Sequence, residues 1–139
     1  MKTLLLMVEK TEKGICKTGL DDYAERIGHY IPFEYREIKD SQILKMIQPT
    51  DTVILLDERG EERRSMEFAT WMQKKMNTSR TLVFVIGGPY GFSKEVYDRA
   101  DEMMSLSKMT FSHQMVRVIF TEQLYRACTI IKGEKYHHE

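Results

Sequence analysis

Residues 82–93 read LVFVIGGPYGFS, and this stretch decides the fold. Leu82 to Ile86 is an unbroken apolar run of strand length. A run without alternation belongs to a strand covered on both faces. Gly87, Gly88, Pro89 and Gly91 end it at once, and Ser93 is placed to cap a helix through Val96 and Ala100. A buried strand that turns through glycines into a helix is the repeating unit of an α/β protein.

Outward from this unit the same alternation continues. Thr3 to Val8 and Val53 to Leu56 are two more short apolar runs. Thr18, with Asp21 reaching back, is placed to start a helix with Leu20, Tyr23, Ala24 and Ile27 on its apolar face. Phe33 and Tyr35 alternate with charges, as in a half-buried strand. Ser41 to Ile47 offers two helical turns, and Ser65 caps a helix facing inward through Met66, Phe68, Ala69 and Met72. Met103 to Met109 leads into a long helix from about Ser112 to Ile131, with Gly133 as its stop. The pattern predicts one α/β domain over residues 1–139, a parallel sheet flanked by helices on both faces. Ligands of such sheets bind beyond the carboxyl ends of the strands. Leu56-Asp57, Gly87-Gly88 and the Leu106 region all fall there.

The bulk numbers narrow the class. A chain of 139 residues with 42% apolar residues suits a single core. Its 21 basic residues balance 21 acidic ones, which argues against a generic nucleic-acid coat but leaves room for a local basic patch. Cys16 and Cys128 form neither a CxxC pair nor a zinc spacing, so they read as buried free thiols. The apolar run at Leu4 to Val8 is too short for a signal peptide, and no stretch is long enough to span a membrane. The expected location is the cytoplasm.

Four segments could carry chemistry. In VIGGPYGFS (85–93) the glycines allow a ligand close to the backbone, with free N–H groups as donors, although the same residues also make an ordinary tight turn. In SLSKMTFSHQMVR (105–117) Ser105, Ser107, Thr110 and Ser112 sit among apolar residues and could line a pocket, with Met109 and Phe111 against a ring. The plainer reading makes Ser112 a cap and the methionines core filler. On the long helix Val116, Phe120, Leu124, Ala127 and Ile131 form an apolar stripe that suggests a dimer contact. His113 and Arg117, four residues apart, share a face that could meet an anion or simply be solvated. The end, Tyr136-His137-His138-Glu139, is either a mobile terminus or part of a site.

Taken together, VIGGPYGFS, SLSKMTFSHQMVR, EQLYRA (122–127) and the YHHE end resemble the large-subunit ribosomal RNA pseudouridine methyltransferases of the SPOUT class. The strong match runs from Leu56 to Glu139, with GLDDYAERI and PFEYREI as a weaker match before it. The resemblance implies a trefoil knot over about 81–139, a homodimer, and S-adenosylmethionine as cofactor with no metal. It implies a cofactor pocket built from Leu56, Gly87, Leu106, Ser107, Lys108, Met109, Thr110 and Phe111. It implies an RNA and catalytic side with His113, Arg117, Tyr125, Arg126, Tyr136 and His137. The implied reaction is methylation of N3 of a pseudouridine in 23S rRNA on the assembled ribosome, with neither a membrane nor DNA as partner. His137 is the candidate base, Arg117 or Arg126 the candidate anion holder, and Tyr136 the candidate stacking residue. Two alternatives are a SPOUT methyltransferase acting on tRNA or another rRNA site, and a non-enzymatic nucleoside- or RNA-binding protein. One departure stands out: IKDSQILKMIQPTD (38–51) is abrupt where the family carries a longer, charged, helical stretch.

Overall fold

The apolar runs pair side by side because each is too hydrophobic to leave a face in water. A computed structural model describes residues 2–138, in the order β1 (Thr3–Val8), α1 (Ile15–Gly28), β2 (Phe33–Ile38), 3₁₀ turns at Asp40–Gln42 and Leu44–Met46, β3 (Thr52–Glu62), α2 (Ser65–Met76), β4 (Leu82–Ile86), α3 (Lys94–Arg99), β5 (Glu102–Ser105) and α4 (Met115–Lys132). The five strands form one sheet in the order β2-β1-β4-β3-β5, and every pairing is parallel. The expected α/β class with helices on both faces is therefore what the chain adopts.

Alternate residues of each strand serve the two faces. Leu5, Met7, Phe84 and Ile86 point to one side, where they meet α1, α2 and α4 through Leu20, Ile27, Phe68, Met72, Phe120 and Leu124. Leu4, Leu6, Val83 and Val85 point to the other, under Ile43 of the 3₁₀ segment and Val96 of α3. Full burial of each such side chain contributes roughly 1.5–3 kcal/mol. The middle of the α4 stripe turns inward here: Phe120, Leu124 and Ala127 are buried against the chain's own sheet and helices, while Val116 and Ile131 at its ends are only partly buried.

Several ends differ from expectation. α1 starts at Ile15 after Gly14, which has φ 108, and Thr18 lies inside the helix. α2 is capped by Glu67, which accepts from the Arg64 amide at 2.8 Å, while Ser65 Oγ donates to Gln123. Ser93 does cap α3, accepting from the Val96 amide at 3.3 Å. α4 ends at Gly133 with φ 75, as expected.

β3 does not stop at Leu56. It bulges and continues to Glu62, so Met104 of β5 is opposite Leu56 and again opposite Glu61. The bulged segment passes so near β5 that a Cβ at Gly60 would lie 2.5 Å from the Met104 amide nitrogen. Only glycine permits that approach. The crossing places residues 57–60 beside the carboxyl ends of β4 and β5. Among the described residues, no helix is long and apolar enough to cross a membrane.

Candidate active site

A cavity of about 630 Å³ opens at the carboxyl ends of β3, β4 and β5. That volume suits a nucleoside-sized ligand. Leu56 and Asp57 leave β3, Ile86 and Gly87 leave β4, and Ser105 and Leu106 leave β5, all into its wall. The glycine turn 87–91 forms one side, held by a Gly91 amide bond to the Gly88 carbonyl at 3.2 Å. The 105–113 segment forms the opposite side. It is internally braced: Ser105 Oγ donates to the Ser107 carbonyl at 2.8 Å, and Ser107 Oγ accepts from the Met109 amide at 3.0 Å. Seven of the eight residues expected around the cofactor line this cavity: Leu56, Gly87, Leu106, Ser107, Met109, Thr110 and Phe111. Lys108 is exposed and is not in the wall.

Asp57, Glu58, Arg59 and Tyr97 also line the cavity, and the sequence reading assigned them no role. Asp57 accepts from Tyr97 Oη at 2.5 Å and from the Arg59 amide at 2.9 Å. Burial works to raise its pKa, but these bonds and the Arg59 charge outweigh it, and the carboxyl is held below the usual range. Asp57 therefore carries a negative charge into the wall. The signal available beforehand was its place at a strand end; its partners come from across the sheet.

The expected catalytic residues fall in three places. His113 lines the cavity at the approach to α4 and lies 3.9 Å from Glu9. Arg117 does not face solvent: it is 0% exposed. Its guanidinium donates to the carbonyls of Val8 at 2.7 Å, Glu9 at 3.0 Å and His113 at 3.2 Å, and to Thr11 Oγ1 at 2.7 Å. The expected role as a holder of an RNA phosphate is corrected by this burial. Arg117 instead clamps the exit of β1, where Glu9 has φ 74. Arg126, Tyr136 and His137 form a third group outside the cavity wall. Glu122 accepts from Arg126 Nη2 and Tyr136 Oη, both at 2.7 Å, and Arg126 Nη1 lies 3.0 Å from His137 Nδ1. A guanidinium only donates, so Nδ1 is the accepting nitrogen. Tyr136 packs edge-on against Tyr125 and beneath the Arg126 guanidinium. Burial, then bonds with Tyr23 and Glu122, push its phenol upward, so it stays a donor. Tyr136 and His137 are thus docked on α4, His138 is exposed, and Glu139 lies outside the described residues. Arg126 lies ten residue steps along α4 from Val116 at the cavity, a rise of about 15 Å.

A sequence profile described as "Predicted SPOUT methyltransferase" matches residues 1–137. The chain belongs to the SPOUT methyltransferase family. Proteins named ribosomal RNA large subunit methyltransferase H are similar over the full length. The one from Bacteroides fragilis is 50% identical across 157 aligned positions covering all of both chains. The one from Cytophaga hutchinsonii is 52% identical over 99% of this chain and all of its own. An alignment of 157 positions leaves 18 with no counterpart among the 139 residues here, so this SPOUT chain is shorter than such relatives. Solved structures share the fold at low identity. A probable methylase family protein from Haemophilus influenzae superposes with TM-score 0.63 at 10% identity, covering 99% of this chain and 70% of its own. A probable methyltransferase from Bordetella pertussis gives 0.62 at 9%, covering 92% and 95%.

The cavity fits the family's cofactor, S-adenosylmethionine, on its own chemistry. Its volume admits an adenosine with a methionyl arm, Leu106, Met109 and Phe111 offer apolar surface to a ring, and Asp57 and Glu58 place negative charge beside a ligand that carries a sulfonium.

Proposed function

We propose that this protein methylates N3 of a pseudouridine in 23S rRNA on the assembled ribosome, using S-adenosylmethionine and working as a homodimer. The observation that carries the reading is the cavity at three strand ends, walled by the 105–113 segment and the glycine turn. The full-length similarity to large-subunit rRNA methyltransferases supports the substrate. The reading includes the trefoil knot over about 81–139 that the family resemblance implies.

When bound, the cofactor supplies a methyl group already activated by its sulfonium. Leu56, Gly87 and the 106–111 segment hold it, with the Lys108 side chain outside the wall. What remains for the protein is to align the base and to remove the imide proton from N3. His113 is the imidazole in the cavity wall of the same chain. The group of Arg126, Tyr136 and His137 is too far along α4 to reach that cavity, so its catalytic role requires a second copy to bring it there. In that arrangement Tyr136 stacks on the base, Arg126 stabilises the developing imidate, and His137 receives the proton after Nδ1 leaves Arg126. Ile15, 80% exposed, and Met115, 37% exposed, support a self-association surface, since Cys16 Sγ lies 3.6 Å from Met115 Sδ and joins the two helix starts.

The test is mass-spectrometric mapping of ribosomes treated with the protein and cofactor. One added methyl on a large-subunit pseudouridine is expected, and none on ribosomes bearing uridine there. Transfer to free tRNA instead of ribosomes would overturn the substrate. A monomer by sedimentation at micromolar concentration would overturn the shared site.

A further inference from the structure

The mouth of the cavity carries two features that the methyl-transfer chemistry leaves without a task. One is Tyr90, at the tip of the glycine turn, which is 99% exposed although it lines the cavity. An aromatic ring in that position gains nothing from the fold. The other is Arg59, whose side chain is 65% exposed. It is exposed but not loose. Its Nε donates to Asp57 at 3.3 Å, its guanidinium lies 4.8 Å from the centre of the Tyr97 ring, and Tyr97 in turn donates to Asp57. A carboxylate and a ring hold the cation at the rim with its outer face toward solvent. Arginine presented this way is organised to take a phosphate, because little freedom remains to be lost on binding. A solvent-facing ring is organised to stack on an unpaired base.

We propose that Arg59 and Tyr90 form a nucleotide clamp on the rim of the cavity. Arg59 holds a backbone phosphate of the substrate RNA, and Tyr90 stacks on a base next to the modified nucleotide. Asp57 and Tyr97 are positioning residues that act through Arg59. The inference rests on the RNA-methyltransferase reading above and names how that RNA is held. It also explains how a chain of zero net charge grips RNA: the site needs one oriented cation and one ring rather than a basic surface.

The test compares Arg59→Ala, Tyr90→Leu, Tyr90→Phe and Tyr97→Phe with the wild-type chain. Three quantities are read: S-adenosylmethionine affinity by calorimetry, ribosome binding by co-sedimentation with S-adenosylhomocysteine present, and KM for ribosomes. Arg59→Ala and Tyr90→Leu are expected to weaken ribosome binding and raise KM about tenfold or more, with cofactor affinity within twofold of wild type. Arg59→Ala is expected to reduce the slope of log affinity against log salt by roughly 0.7 to 1, the signature of one lost phosphate contact. Tyr90→Phe keeps the ring and restores binding. Tyr97→Phe keeps the ring under Arg59 but removes the hydroxyl bond to Asp57, and gives an intermediate loss with the salt slope unchanged. Wild-type ribosome binding and salt slope in both Arg59→Ala and Tyr90→Leu would overturn the clamp. So would a loss of cofactor affinity by the same factor as ribosome binding. If the wild-type chain binds ribosomes without methylating them, the methylation reading fails alone and the co-sedimentation comparison still decides the clamp.

Discussion

Arg117 shows how a single residue changes meaning between sequence and structure. Four residues after His113 on a helix, it reads as half of an anion site. In the fold it is fully buried and satisfies the carbonyls of Val8 and Glu9 and the hydroxyl of Thr11. Gln114 works beside it, accepting from the Glu12 amide at 2.7 Å and donating to the Lys10 carbonyl at 3.0 Å. Together they pin the 8–12 segment to the start of α4. Arg117→Ala leaves those groups buried without partners, so we expect a loss of about 3 kcal/mol or more in chemical denaturation. A stable Arg117→Ala protein with lost ribosome binding would instead restore the phosphate role. Cys128 is a second residue defined by burial. Its surroundings push the thiol up to about 12, through desolvation. It should resist alkylation at pH 8 in the native protein and react fully once unfolded, by mass spectrometry.

Among the elements, β3 carries the most information about the site. Its first half is a buried parallel strand, which its apolar run announces. Its second half, 57–62, is charged and Glu58-Arg59-Gly60 reads as a turn, yet the strand bulges there and Glu61 and Glu62 pair with β5. The pairing depends on Gly60, where a Cβ would collide with backbone atoms of Met103 and Met104 at 2.5–2.6 Å. All the close atoms are backbone, which cannot swing aside as a flexible side chain would. Gly60→Ala should therefore lower the melting temperature by several degrees or more. It should also weaken S-adenosylmethionine binding, because the same segment carries Asp57 into the cavity wall. Unchanged melting with unchanged cofactor affinity would show that the crossing is looser than the contact distances imply.

For the whole molecule, the edge of the sheet at β5 is tied to α2 by charge. Glu102 accepts from Lys75 and from Trp71 Nε1, with Arg63 close by. Burial acts to raise the Glu102 pKa, but the Lys75 and Trp71 hydrogen bonds and the nearby cations prevail and hold it below its ordinary 4.5. Glu37 and Asp57 are depressed in the same sense. A carboxylate depressed in the folded state stabilises it above the unfolded pKa, and that contribution disappears as pH falls through the folded value. Stability should therefore hold near neutrality and fall on acidification below about pH 5. Glu102→Gln should make the acid limb of the denaturation profile shallower without abolishing it, since Glu37 and Asp57 remain. An acid limb identical to wild type would exclude Glu102 from the effect.

The sequence by itself determined the layers and where the cavity lies. Apolar runs at Thr3, Val53 and Leu82 can only be buried strands, helical periodicity supplies their covers, and glycines after Ile86 mark a strand end where a ligand can approach. Those signals are local, carried by neighbours a few residues apart. What faces what was decided by the tertiary structure alone. It turned Arg117 inward, buried the middle of the α4 stripe within the chain, set Tyr97 against Asp57 across forty residues, and docked Tyr136 on Glu122 outside the cavity. Each of these depends on partners far apart in the chain, whose proximity is set by strand order and by the close crossing at Gly60.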